Sequence, residues 1–298
     1  MCGIVGLFLK KDDKDNRLGA MLAEMLAVMS DRGPDSAGFA VYGAGDTARH
    51  KLTLRGPEGA DWTALARGLE EKDLGPVDVV VRDTHAVLTV PAASVAAIRA
   101  ALPALAPDVA VVGEGERMEL YKEVGLPAEI SARFGLADMR GTHGIGHTRM
   151  ATESAVTTNG AHPFTTGLDQ CLVHNGSLSN HNLLRRKLKR EGIAIETEND
   201  SEVAAAYLTW RMREGDNLGE ALEHALIDLD GFFTFVVGTE SGFGVVRDPI
   251  ACKPAVMAET EDYVAFASEY RALVGLPDIE KAHIFEPEPA RVYFWERQ

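Results

Sequence analysis

The sequence predicts one sheet-rich domain of mixed α+β layers. Three observations carry that expectation: an apolar run of strand length at residues 3–9, a helical middle over residues 179–229, and closely spaced strand-like runs between residues 232 and 267. Strands at both ends with helices between them fit layers packed on a shared core.

Each element has a local signature. Gly3-Ile4-Val5-Gly6-Leu7-Phe8-Leu9 is continuously apolar, as a buried strand is. Residues 16–29 carry Leu18, Met21, Leu22, Met25, Leu26 and Met29 at the spacing of one helix face. Asp31-Arg32-Gly33-Pro34-Asp35-Ser36-Ala37-Gly38 breaks that helix, and Phe39-Ala40-Val41-Tyr42 resumes as strand. From about residue 57 to 140 the character changes. Short β-branched runs at 77–81 and 86–90, an alanine-rich helix at 94–105, a strand at 109–112 and helical stretches around 118–124 and 128–134 predict a small subdomain or lid. Residues 142–149 and 170–176 read as strands ending in polar residues. Ser179 is placed to cap a helix to about Glu191, closed by Gly192; Asn199 or Asp200 is placed to cap a second over 201–213. A third helix spans 218–229, and runs at 232–238, 243–247, 255–258 and 263–267 read as antiparallel strands.

Composition excludes several function classes. The 298 residues are 46% hydrophobic and 25% charged, an ordinary globular balance, and the net charge of -15 opposes binding to nucleic-acid phosphates or anionic membranes. The one compact basic run, Arg185-Arg186-Lys187-Leu188-Lys189-Arg190, reads as the solvated face of a helix. No stretch approaches the ~20 apolar residues of a membrane span, and no basic region precedes the N-terminal apolar run, so a cytoplasmic protein is expected. Cys2, Cys171 and Cys252 have no paired spacing, which suits a reducing compartment and predicts packing roles for the last two. The nine histidines show no metal-ligand spacing, so no metal is expected.

Chemistry starts at Cys2, because removal of Met1 would make it the N-terminus. A free thiol with a pKa of about 8.5 needs a base, and an α-amino group titrating near roughly 7.7 to 8.0 can supply one from the same residue. Taken alone, Cys2 reads first as a small apolar residue opening a buried strand. Asn175 and Gly176 can pair a side-chain amide with a backbone N–H as oxyanion donors, or form a plain turn. Arg149 can hold a carboxylate through its guanidinium fork and Asp200 an ammonium group, or they are a surface arginine and a helix cap.

The order of the pieces resolves these alternatives. Met-Cys-Gly-Ile-Val-Gly, Asp-Arg-Gly-Pro-Asp-Ser-Ala-Gly, Gly-His-Thr-Arg-Met-Ala-Thr, Ala-His-Pro-Phe, His-Asn-Gly and Asn-Asp-Ser-Glu occur in succession. The chain thereby resembles the class II, N-terminal nucleophile glutamine amidotransferases over residues 2–56 and about 140–270. The resemblance implies a four-layer αββα N-terminal nucleophile hydrolase fold over residues 2–298, interrupted by an α/β insertion at about 57–140. It implies Cys2 as nucleophile with its freed α-amine as base, and Asn175 and Gly176 as the oxyanion hole. Arg149 and Asp200 match the groups for the glutamine α-carboxylate and α-amine, Arg32 and Gly33 match residues lining the nucleophile pocket, and His162 matches a pocket histidine that reads equally as structural support. Arg247-Asp248-Pro249 with Lys253-Pro254 matches a hairpin motif of architectural character.

The implied reaction is hydrolysis of glutamine to glutamate and ammonia through a thioester, with no metal or organic cofactor in this chain. One departure concerns the segment after Arg149, where Met150 and Glu153 replace an aromatic residue and a histidine of many members, so the loop over glutamine is expected to close differently. Little sequence follows the glutaminase pattern, so the ammonia acceptor is expected on another polypeptide, with Tyr293, Phe294 and Trp295 either docking it or forming a last edge strand. The arrangement looks like the small subunit of N-methylglutamate synthase (methylamine-glutamate N-methyltransferase) and its glutamate-synthase-like relatives, which implies partner subunits carrying flavin and iron–sulfur clusters. A glutamine- or glutamate-sensing subunit without turnover, or a structural subunit, is the alternative expectation.

Overall fold

The computed structural model describes residues 2–11, 16–151 and 155–297. In chain order the first half contains β1 (Gly3–Leu9), α1 (Leu18–Val28), β2 (Ser36–Tyr42), β3 (Arg49–Arg55), α2 (Trp62–Glu70), β4 (Asp78–Arg82), β5 (His85–Pro91), α3 (Val95–Leu105), β6 (Ala110–Gly115), β7 (Met118–Val124) and α4 (Pro127–Arg133). There follow β8 (His143–Arg149), β9 (Phe164–Gly167), β10 (Gln170–Leu178), α5 (His181–Arg190), α6 (Asp200–Arg213) and α7 (Leu218–Asp228). The last third is β11 (Gly231–Gly238), β12 (Gly242–Arg247), β13 (Val256–Glu259), β14 (Tyr263–Ala267), β15 (His283–Phe285) and β16 (Val292–Glu296). Among the described residues no helix is long and apolar enough to cross a membrane.

The strands form a seven-stranded sheet, β15-β13-β14-β1-β8-β2-β7, a five-stranded sheet, β16-β12-β11-β10-β9, and a four-stranded sheet, β4-β5-β3-β6. Side-chain alternation stacks the first two. Val5, Leu7 and Leu9 of β1 pack with Leu18, Leu22, Met25 and Leu26 of α1 on the outer face, while Ile4 and Phe8 meet Val173, Val236 and Phe243 of the five-stranded sheet. Helices α5, α6 and α7 cover the far face of the five-stranded sheet. The layers therefore run α, β, β, α, as expected. Each fully buried Leu or Phe in these layers contributes on the order of 1.5–3 kcal/mol.

The inserted unit is bounded differently from the sequence reading of 57–140. Its own sheet runs from β3 to β6, closed over by α2 and α3 around Leu52, Leu54, Trp62, Leu69, Leu88 and Ile98. Residues 118–124, expected to be helical, form β7 and pair with β2 along its whole length. Period-two burial decides this: Met118 and Leu120 enter the inter-sheet core, and Tyr121 turns to Phe39 and Phe134. Ser179 does not cap α5; its hydroxyl donates to Asp230, and Asn180 takes the N-cap position. Asn199, not Asp200, caps α6, accepting from the Ser201 N–H at 2.9 Å. Cys171 is a core residue as expected, whereas Cys252 is exposed and has no packing role. Strand β16 forms the edge of its sheet, with Phe294 46% exposed.

Among the groups that hold the inserted unit to the body, Asp169 makes three backbone contacts at once. Asp169, in the β9–β10 turn at φ 49°, accepts from the N–H groups of Glu116, Arg117 and Met118 at 2.6, 2.9 and 2.8 Å. A Cβ on Gly115 would lie 2.1 Å from that carboxylate, so only glycine fits there. Asp169→Ala strands three backbone donors and should cost about 3 kcal/mol or more in urea denaturation; a loss below about 1 kcal/mol would contradict the clamp.

Candidate active site

Strand alternation assembles the site at one end of the inter-sheet space. On β8, Ile145 faces the inter-sheet core, so His147 and Arg149 point the same way; on β10, Cys171 and Val173 do, so Asn175 follows. On β14, Val264 and Phe266 set the direction of Ser268 just past the strand. Gly3 pairs with Thr148 and Ile4 with His147, which brings Cys2 to the end of β8.

The Cys2 thiol is half-buried against the backbone of Met150, whose N–H donates to Sγ at 3.5 Å and whose carbonyl accepts from it at 3.8 Å. The Cys2 carbonyl accepts from Arg32 Nε at 3.0 Å and from Asn175 Nδ2 at 3.2 Å. A side-chain amide donor and a guanidinium thus converge on the residue that carries this thiol. Cys171, by contrast, is a poor nucleophile, because burial pushes its thiol up to about 12.

Arg32 is locked by an ion pair of 2.5 Å to Glu269, and its guanidinium holds the Glu269 carboxyl below the usual carboxylate range. Gly33 lies directly on the end of β8: a Cβ would sit 2.5 Å from the Thr148 carbonyl carbon and 2.6 Å from the Arg149 nitrogen. Glycine there lets the loop after α1 approach the strand. Asp35 fastens the other side, its Oδ2 accepting from the Ala151 N–H at 2.7 Å.

Arg149 is buried, its Nη1 donating to the Ala155 carbonyl at 3.4 Å with Gly160 beside it. Glu153 and Met1 lie outside the described residues, and with them the expected loop difference and the removal of Met1. His162 stacks on His147 at 4.0 Å and meets Phe164 edge-on. Gly176 is exposed at φ 147°, where a Cβ would strike the Phe232 carbonyl at 2.0 Å, so glycine is required. Asp200 lies toward the helical face of β10: its Oδ2 accepts from the Leu178 N–H at 2.8 Å, and its Oδ1 is 3.9 Å from His174 Nδ1. At the start of α6, it sits where the helix dipole favours a carboxylate. Arg247 and Asp248 are architectural, binding the carbonyls of Pro287, Ala251 and Lys253 and the N–H groups of Phe233 and Ile250.

Three contributors had no role from sequence: His147, Ser268 and Glu269. His147 lies inside the Gly-His-Thr-Arg stretch, two residues before Arg149, and that period-two spacing was the signal available for it. Ser268 and Glu269 follow an apolar strand with no motif of their own, so only the fold reveals them.

Comparison with known proteins bears on the whole chain. A family model described as a glutamine amidotransferase domain matches residues 147–275. The glutamine amidotransferase-like protein GlxB of Rhizobium meliloti (strain 1021) is 65% identical over 300 residues, covering 100% of this chain and 99% of that protein. A relative in Methanothermobacter thermautotrophicus, also carrying a glutamine amidotransferase name, is 34% identical over 98% of this chain and 99% of its own length. Among solved structures, the glutamine phosphoribosylpyrophosphate amidotransferase from B. subtilis, complexed with ADP and GMP, matches in fold with a TM-score of 0.62 at 20% identity. That match takes in 99% of this chain and 47% of the B. subtilis chain, so this chain spans about half the length of that enzyme.

Proposed function

The chain belongs to the class II glutamine amidotransferase family, and from that premise we propose that it is a glutaminase subunit that hydrolyses glutamine and passes ammonia to a separate synthase subunit. The observation that carries the reading is the convergence of Cys2, Asn175 and Arg32 on the Cys2 backbone.

In this mechanism the α-amine of an N-terminal Cys2 takes the thiol proton. The thiolate adds to the glutamine side-chain carbonyl carbon, forming a C–S bond and a tetrahedral oxyanion. Asn175 Nδ2 and the Gly176 N–H stabilise that charge, a contribution commonly near 3 kcal/mol per donor. The α-ammonium returns its proton as the C–N bond breaks, and ammonia leaves. Water then adds to the glutamyl thioester, the C–S bond breaks, and glutamate is released. Arg149 binds the substrate α-carboxylate and Asp200 its α-amine. For the acceptor, the family resemblance of the Gly-Thr-His-Gly-Ile-Gly-His-Thr-Arg stretch and the long insertion support a glutamate-synthase-like or N-methylglutamate synthase complex, with flavin and iron–sulfur clusters on the partner subunits.

The test is release of ammonia and glutamate in equal amounts from glutamine by the purified chain with residue 2 as its N-terminus. In the same assay Asp200→Ala should raise the glutamine KM at least about tenfold with a smaller effect on kcat. No glutamate from the parent chain contradicts the glutaminase reading, and favours a subunit that binds glutamine without turnover.

A further inference from the structure

We propose that His147 is a positioning residue that fixes the Asn175 side chain with its N–H₂ group turned toward Cys2. The inference rests on the glutaminase reading and names the group that makes its oxyanion donor a donor.

An asparagine amide has two nearly isosteric ends, and only one of them can stabilise an oxyanion. His147 Nε2 lies 3.1 Å from Asn175 Oδ1 and 3.2 Å from the His174 carbonyl oxygen. A backbone carbonyl only accepts, so Nε2 must carry the ring hydrogen. The asparagine atom sharing that hydrogen must then be oxygen. The opposite end gives the same answer independently: the Cys2 carbonyl, 3.2 Å away, also only accepts, so the atom facing it is Nδ2. Ser268 Oγ, 3.3 Å from Nδ2, supplies another acceptor. A flipped amide would set oxygen against the Cys2 carbonyl oxygen and N–H₂ against the Nε2 hydrogen, two repulsions in a buried place.

The ring itself is immobilised. His147 is 1% exposed, stacked on His162 at 4.0 Å and 24°. Its Nδ1 has no hydrogen-bond partner among the described residues, so no competing group draws the hydrogen to that side. Burial pushes its pKa down to about 3, so near neutrality it carries a single hydrogen. These features explain why a histidine that touches no substrate occupies the strand beside the nucleophile.

The experiment compares His147→Phe and His147→Gln in the full chain. His147→Phe should lower kcat for glutamine about 100-fold, the cost of a lost oxyanion donor, with KM changed less than about threefold. Alkylation of Cys2 by iodoacetamide should keep its rate within about twofold, because that displacement forms no oxyanion. His147→Gln, whose amide N–H₂ can still donate, should recover at least about a tenth of the parent kcat. An unchanged kcat in His147→Phe, or an alkylation rate that falls in step with kcat, overturns the proposal. Nitrogen-15 NMR of the parent chain adds a readout independent of turnover: the Nε2–H tautomer is expected, and the Nδ1–H tautomer overturns the proposal. A parent chain that releases no ammonia overturns the glutaminase reading, and with it any catalytic benefit of His147, while the tautomer still decides the amide's orientation.

Discussion

Replacement of Cys2 by alanine is expected to reduce ammonia release from glutamine by about 10⁴-fold or more, to the background of the assay, as loss of a covalent nucleophile does. The fold should survive. Cys2 precedes β1, its thiol is half-buried, and that thiol meets backbone atoms of Met150, so the stability change should stay within about 1 kcal/mol. The other two cysteines offer no substitute: Cys171 is sealed in the inter-sheet core and Cys252 lies in the loop after β12. Ammonia release by Cys2→Ala at the parent rate would remove Cys2 from the mechanism. Loss of activity together with a collapsed thermal transition would instead make it a structural residue.

A second large effect is expected from acid. Burial depresses five histidines: His85, His143 and His147 to about 3, His174 to about 4, and His162 well below its usual value. Their folded values lie below the ordinary 6.5 of an unfolded chain, so between those limits the unfolded state binds more protons. Stability from keeping these rings neutral is complete above roughly pH 6.5 and is lost as pH falls toward the folded values. At pH 5 His85, His143, His147 and His174 each cost about 2 kcal/mol, and together they rival the ~5–15 kcal/mol total stability of a domain. The urea midpoint should therefore fall steeply between pH 7 and pH 5, above the range where carboxylates titrate. A midpoint that is flat over that interval would show that the histidines are hydrated or charged in the folded state.

These histidines also mark where sequence reading stops. The strands around Cys2 were legible because their signals are local: the apolar run of β1 and the alternation of residues 142–149 and 170–176 match β1, β8 and β10. So was the core face of α1, whose Leu18, Leu22, Met25 and Leu26 are buried as spaced. Residues 118–124 misled because Met118, Tyr121 and Lys122 mimic helical spacing, and their partner strand β2 is more than seventy residues earlier. The buried Lys122 is tolerated in a strand because its amine donates to the Ala161 and Pro163 carbonyls, contacts that no local pattern announces. Cys2, Arg32, Asn175 and Gly33 were singled out from motif order, and the structure brings them together at the end of β8. His147, Ser268 and Glu269, which contact Asn175 and Arg32, were not singled out, because such contacts depend on which atoms two sheets bring together and leave no spacing in one chain.

The central claim is that Cys2, as an N-terminal residue, attacks the glutamine side chain. The most direct test is tandem mass spectrometry after exposure to a glutamine analogue carrying a diazoketone in place of the amide, whose reacting carbon accepts a thiolate with loss of nitrogen. The expected result is one adduct per chain, on the sulfur of a Cys2 that follows no other residue, and its suppression by excess glutamine. An adduct on Cys171 or Cys252, no adduct at all, or equal labelling of chains that retain Met1 would contradict the account.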